Sequence, residues 1–280
     1  MNGDPSFALR PLGGDGPVLV LAHANGFPIG SYRVLAGLLA TRFRVMGYEA
    51  RPLWPGSDPG ELRGWTDLGD DLRTVLRGAS LSGIVGVGHS VGAVSTILAS
   101  TRDPDLFRTR VLIDPVLFTG PRARLWGLFQ AFGLASRMSI VRGARQRRES
   151  WTDPAEAHQS WAAKPLFARL EPRCLDDYVE SGLVPDPHGG FRLRYPRAWE
   201  AAIFETTPSD PWPWVREVKS PSLFLRGSDS ETFLPEASER VRREVAGCEI
   251  REVPGTTHLL PFERPDAVAE AILDFLSLGM

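Results

Sequence analysis

Ser90 sits in the run Gly88-His89-Ser90-Val91-Gly92, with glycines two residues before it and two after. A serine hydroxyl is a poor nucleophile at neutral pH and needs an adjacent base. A tight, strained turn between a strand and a helix projects such a hydroxyl above a sheet edge, and side chains at the two glycine positions would collide with the neighbouring elements. Of five histidines, His258 is the candidate base. It ends the loop Pro254-Gly255-Thr256-Thr257-His258, after one strand pattern and ahead of the last helix. The base needs a carboxylate to hold its tautomer and to stabilise the imidazolium. Asp229 and Glu231 are the first candidates, in the loop Gly227 to Phe233 after the strand Leu223-Phe224-Leu225-Arg226; Asp114, at the end of another strand, is the alternative acid. A tetrahedral intermediate also needs N–H donors for its oxyanion. The Val91 N–H, at a helix start, is one. Phe27, with Asn25 second, is the choice in the loop His23-Ala24-Asn25-Gly26-Phe27-Pro28. His23 is read as bracing that loop and His89 as structural, while His158 and His188 fall in an insertion.

The elements that must position these residues alternate. Phe7 to Leu12, Pro17 to Ala22, Phe43 to Tyr48, Ile84 to Val87 and Arg110 to Asp114 read as strands. Helical patterns separate them, with Val34, Leu35, Leu38 and Leu39 on one face and Leu68, Leu72, Val75 and Leu76 on another. Such alternation predicts an α/β chain with a mostly parallel, doubly wound sheet, its ligand at the carboxyl edge of the strands. From about Leu117 to Val218 the alternation lapses into helical patterns without a convincing buried strand. It resumes with strands at Pro221 to Arg226 and Glu249 to Val253 and helices at Pro235 to Ala246 and from Pro265. The expected division is a core of residues 1–117 and 219–280, with a helical cap (lid), 118–218, inserted after the sixth strand. Within the cap, Leu125, Trp126, Leu128, Phe129, Phe132 and Leu134 fit either an acyl pocket or packing of the cap on the core. Arg142, Arg145, Arg147 and Arg148 read as a solvated face rather than an anion site. Trp199-Glu200 and the run Pro208 to Trp214 read as a fixed return hinge.

With 280 residues, 42% of them hydrophobic, the chain is long enough for one large α/β domain carrying an insertion. A net charge of −2 gives no electrostatic case for nucleic acid or an anionic membrane. The basic residues are 30 arginines and only Lys164 and Lys219. Cys174 and Cys248 suggest neither a disulfide framework nor a metal site. No apolar run is long enough to span a bilayer, and the start of the chain shows no leader pattern. The expectation is a cytoplasmic protein acting on a small molecule, with no metal and no cofactor; its oligomeric state stays open.

Taken together, these residues resemble the α/β-hydrolase fold superfamily. The nucleophile-elbow motif is Gly88-His89-Ser90-Val91-Gly92, and the oxyanion loop is His23 to Pro28. The histidine loop is Gly255-Thr256-Thr257-His258, followed by Pro261, Glu263 and Pro265. The order Ser, acid, His is also that family's. The resemblance implies a serine hydrolase of the carboxylic ester type, or of thioesters or lactones, acting on a small to medium apolar substrate through an acyl-enzyme. C–C bond hydrolysis or acyl transfer is the alternative on the same triad, and a non-catalytic ligand-binding protein is a third class. Two positions depart from the pattern. The oxyanion loop reads Asn-Gly-Phe-Pro where many members have His-Gly, and Ser230 stands where the family's acid usually lies.

Overall fold

The structure is a computed structural model that describes residues 5–218 and 221–277. Lys219, the resumption of the core at 219, and the leader reading at Met1 to Asp4 lie outside the described residues. Seven strands form the main sheet: β1 (Leu9–Gly13), β2 (Val18–Ala22), β3 (Arg44–Tyr48), β4 (Ile84–His89), β5 (Phe107–Ile113), β9 (Ser222–Gly227) and β10 (Cys248–Val253), in the spatial order β1-β3-β2-β4-β5-β9-β10. Only β1 runs antiparallel, against β3; every other neighbouring pair is parallel. The fold is therefore α/β with a mostly parallel sheet. The centre of the sheet is the most apolar part: all six residues of β4 are buried, as a parallel strand covered on both faces requires.

The core helices are α1 (Arg33–Leu39), α2 (Trp65–Gly78), α3 (Val91–Arg102), α10 (Pro235–Glu244), the one-turn α11 (Leu260–Glu263) and α12 (Pro265–Ser277). Prolines open both α10 and α12, where a missing N–H costs nothing because first-turn donors have no intrahelical acceptor. The register between β4 and β5 pairs His89 with Ile113, so Ser90 and Asp114 emerge side by side at the carboxyl edge. The register between β5 and β9 pairs Ile113 with Leu225. That places Asp114 beside the strand end at Gly227.

Between β5 and β9 the chain leaves the sheet through α4 (Gly120–Ala131), α5 (Ser139–Arg145), α6 (Pro154–Ala162), α7 (Pro172–Gly182), α8 (Arg197–Glu205) and the short α9 (Trp212–Val215). Two expectations are corrected here. The segment leaves after the fifth strand, not the sixth, since β1 to β5 are the strands that precede it among the described residues. It also contains a small antiparallel sheet, β6 (Ser150–Trp151), β8 (Phe191–Leu193) and β7 (Leu183–Pro185), whose strands of two or three residues are too short to show alternation. The insertion shares its core with the sheet: Trp161, Phe167, Tyr178 and Leu183 belong to the same buried cluster as Leu19, Val85, Val111 and Leu225. Its two ends are tied together where Trp212 Nε1 donates to the Phe118 carbonyl at 2.8 Å.

Candidate active site

Ser90 follows β4 and stands at the N-cap of α3 with φ 58° and ψ −119°, a backbone conformation that L-residues rarely adopt. Holding a residue there costs about 1–3 kcal/mol and persists only where the surroundings enforce it. Close packing does so here. A Cβ on Gly88 would lie 2.5 Å from the Gly92 carbonyl oxygen, and a Cβ on Gly92 would lie 2.3 Å from that of Ala22. The two glycines let β2, β4 and the start of α3 approach closely, and the hydroxyl is carried above the sheet edge.

His258 Nε2 lies 2.9 Å from Ser90 Oγ. On the other side of the ring, Nδ1 lies 2.6 Å from Asp114 Oδ2. Since a carboxylate accepts, Nδ1 carries the proton and Nε2 is free to accept from Ser90. Asp114 is fully buried and has φ 42°. It also accepts from Ser230 Oγ at 2.6 Å, and its Oδ1 from the Gly227 N–H at 3.3 Å. Ser230 Oγ in turn accepts from the N–H groups of Thr232 and Phe233, which directs its own proton to Asp114.

The first-choice acids are not brought to His258. Asp229 turns outward: its carboxylate meets Arg169 at 3.2 Å and accepts from Ser228 Oγ at 2.9 Å. Those two contacts, Ser228 first, hold its pKa below the usual carboxylate range. Glu231 is exposed, and its backbone carbonyl accepts from Arg122. Asp114 meets the imidazole Nδ1, and Ser230 Oγ donates to the same Asp114 oxygen.

Glu263 braces the histidine loop by accepting from the Thr257 N–H at 2.8 Å and from Thr257 Oγ1 at 2.5 Å. A second brace runs beneath the site. His89 Nε2 lies 2.9 Å from the His258 carbonyl oxygen, which can only accept, so Nε2 bears the proton. Nδ1 then accepts from Tyr32 Oη at 2.7 Å, and Tyr32 Oη accepts from the Ala24 N–H at 2.9 Å. One polarity therefore runs from the oxyanion loop through Tyr32 and His89 to the base loop. Burial pushes the His89 pKa well below 6.5, and the nearby His258 lowers it further. His23 is fixed in the other tautomer: Nδ1 donates to the Ala24 carbonyl at 2.8 Å and Nε2 accepts from the Ala50 N–H at 3.1 Å. Burial lowers its pKa as well.

Val91 opens α3, so its N–H has no intrahelical acceptor. The Phe27 N–H closes a turn onto the Ala24 carbonyl at 3.3 Å, a long bond that leaves it able to serve a second acceptor. The Asn25 side chain is committed to the cap: Oδ1 accepts from Tyr195 Oη at 2.9 Å and Nδ2 donates to the Glu200 carbonyl at 2.9 Å. The Glu200 carboxylate pairs with Arg147 at 2.6 Å, and both lie over Gly26, where an added Cβ would meet them at 3.2 and 3.3 Å. Arg145 and Arg148 likewise pair with Glu205 and Glu156. His158 pairs with Asp176, and His188 is exposed. Of the apolar cluster expected to line a pocket or to pack on the core, Trp126 is buried, Phe129 and Leu134 are half-buried, and Leu125, Leu128 and Phe132 face outward, because α4 turns Trp126 and Gln130 inward onto the Thr207 carbonyl.

Sequence reasoning missed Tyr32, the bond from Ser230 to Asp114, and the pairing of Glu200 with Arg147. A signal for Asp114 was present. Asp114 follows the buried run Val111-Leu112-Ile113 at the carboxyl edge, and the usual acid position holds a serine.

A family model described as "Alpha/beta hydrolase family" matches residues 19–271. Among curated proteins, 2-(acetamidomethylene)succinate hydrolase of Mesorhizobium japonicum is 24% identical over 266 residues, covering 94% of this chain and 89% of the relative. A putative esterase/lipase of Haemophilus influenzae is 23% identical, covering 93% and 83%. Among solved structures, the crystal structure of E-2-(acetamidomethylene)succinate hydrolase superposes with a TM-score of 0.80 at 23% identity, covering 96% of this chain and 94% of that one. At that identity the likeness shows the fold.

Proposed function

We propose, for a chain that belongs to the alpha/beta hydrolase family, that Ser90 attacks the carbonyl of a small carboxylic ester and passes its acyl group to water through a covalent acyl-enzyme. The observation that carries this reading is the continuous line Ser90 Oγ–His258–Asp114, with bonds of 2.9 and 2.6 Å. His258 Nε2 takes the Ser90 proton as the C–O bond forms, and the resulting imidazolium is stabilised by the buried Asp114 carboxylate. The Val91 and Phe27 N–H groups donate to the oxyanion; the Phe27 N–H leaves its long turn bond to do so. The protonated Nε2 then gives its proton to the leaving alkoxide. Water, deprotonated by the same nitrogen, attacks the acyl carbonyl, and collapse returns the proton to Ser90.

A small substrate fits the enclosure, since Ser90 is only 7% exposed. Arg147, the guanidinium over Gly26, is already paired with Glu200. Neutral acyl groups are therefore favoured over the dicarboxylate named for the Mesorhizobium relative. The test is a panel of p-nitrophenyl esters of increasing acyl length, with 2-(acetamidomethylene)succinate as an acidic arm and Ser90→Ala as control. Turnover of short neutral esters that vanishes in Ser90→Ala supports the reading. Undiminished turnover by Ser90→Ala overturns it, and turnover of the acidic compound alone overturns the preference for neutral acyl groups.

A further inference from the structure

Between Asp114 and Glu149 the chain carries seven arginines and no carboxylate, although its overall charge is −2. Three of the seven are neutralised inside the cap by Glu205, Glu200 and Glu156. Arg122 lies over the Phe118 ring and donates to the Glu231 carbonyl. Arg124, Arg137 and Arg142 have no carboxylate partner among the described residues, and all three are exposed. The same stretch holds four of the chain's exposed large apolar side chains: Leu125 (54%), Leu128 (56%), Phe132 (74%) and Ile140 (50%). Leu125, Leu128 and Phe132, at spacing i, i+3 and i+7, make one stripe along α4, and Arg124, four residues before Leu128, borders it. The stripe cannot roll inward. On the opposite face Trp126 Nε1 and Gln130 Nε2 both donate to the Thr207 carbonyl at 2.7 Å.

We propose that this face of the cap is a docking surface for an anionic lipid bilayer. Three aligned apolar side chains on a helix held in place by its opposite face match the apolar depth of a headgroup layer, while Arg124 beside them and the exposed Arg137 and Arg142 that follow in the same segment match its phosphates. Charge decides between occupants. A second copy of the chain docked face to face would set the same unpaired arginines against one another, whereas an anionic headgroup layer neutralises them. The proposal concerns attachment to a surface, since no described helix is long and apolar enough to cross a membrane. It is independent of the reaction at Ser90.

The test is flotation of the full chain with phosphatidylcholine vesicles, with and without phosphatidylglycerol, at low and high salt. Binding is expected to the anionic vesicles only and to fall with salt. The triple variant Arg124→Gln/Arg137→Gln/Arg142→Gln is expected to partition about a hundredfold more weakly. The triple variant Leu125→Ser/Leu128→Ser/Phe132→Ser is expected to lose stable attachment. Near-UV circular dichroism and an unchanged thermal midpoint show that both variants are folded, since every altered side chain is exposed. Equal binding to neutral vesicles, or no binding to anionic ones, overturns the proposal. So does sedimentation equilibrium showing a dimer that the serine variant abolishes while the wild type ignores vesicles, which would assign the stripe to a second copy.

Discussion

Asp114→Asn is the substitution whose effect follows most directly from the geometry. All three partners of the Asp114 carboxylate are donors: His258 Nδ1, Ser230 Oγ and the Gly227 N–H. An asparagine must turn its NH2 group toward one of them, and the least costly choice is Gly227, whose bond is the longest at 3.3 Å. The amide oxygen then keeps the two 2.6 Å bonds, so the imidazole stays in place but its negative partner is gone. Charge centres about 4 Å apart at an effective dielectric of about 20 attract by about 4 kcal/mol. That attraction operates only once His258 is protonated, in the transition state. At 1.36 kcal/mol per decade it corresponds to a loss of about a thousandfold in kcat with KM little changed. Steady-state hydrolysis of a short aryl ester is the assay, with Asp229→Asn and Glu231→Gln as matched controls expected within about twofold of wild type. Ser230→Ala removes one donor to the carboxylate and is expected to cost about tenfold. An Asp229→Asn loss as large as that of Asp114→Asn would refute the assignment of the acid.

Three further outcomes are expected. Tyr32→Phe leaves the Ala24 N–H without its acceptor and His89 Nδ1 without its donor, both in buried surroundings, so urea denaturation should show a loss of about 2 kcal/mol and kcat should fall about tenfold at similar KM; an unchanged kcat would mean that the brace does not align the site. His23 and His89 have folded-state pKa values below 6.5, so their contribution to stability is complete above the unfolded value and drains away as pH falls through about 6.5 toward the folded values. Each can contribute a slope of about 1.4 kcal/mol per pH unit, and equal urea midpoints at about pH 7.5 and about pH 5.5 would contradict that. Gly92→Ala places a Cβ 2.3 Å from the Ala22 carbonyl oxygen and should lower the thermal midpoint sharply or prevent folding, with a wild-type midpoint as the contrary result.

The sheet was legible because its strands are long apolar runs and its helices are amphipathic. β2, β4, β9 and α12 fall where those patterns place them. The small β6-β8-β7 sheet was not, since strands of two or three residues carry no period. Ser90 and His258 could be singled out because each lies in a short local signature. Which carboxylate faces His258 could not be, because that depends on lateral strand order. Asp114 and Gly227 are 113 positions apart and meet only because β5 and β9 are neighbours in register. Tyr32 was missed for the same reason: its partners, Ala24 and His89, come from the ends of β2 and β4. The outward face of α4 was illegible because its apolar residues are spaced as a core helix would space them.

The most direct test of the central claim is covalent trapping of the nucleophile. Incubation with a fluorophosphonate, followed by intact-mass measurement and peptide mapping, should give one adduct per chain on the peptide containing Ser90. Labelling should be lost in Ser90→Ala and strongly slowed in His258→Ala. A label on another residue, or continued ester turnover by the chain after Ser90 is fully modified, would contradict the account.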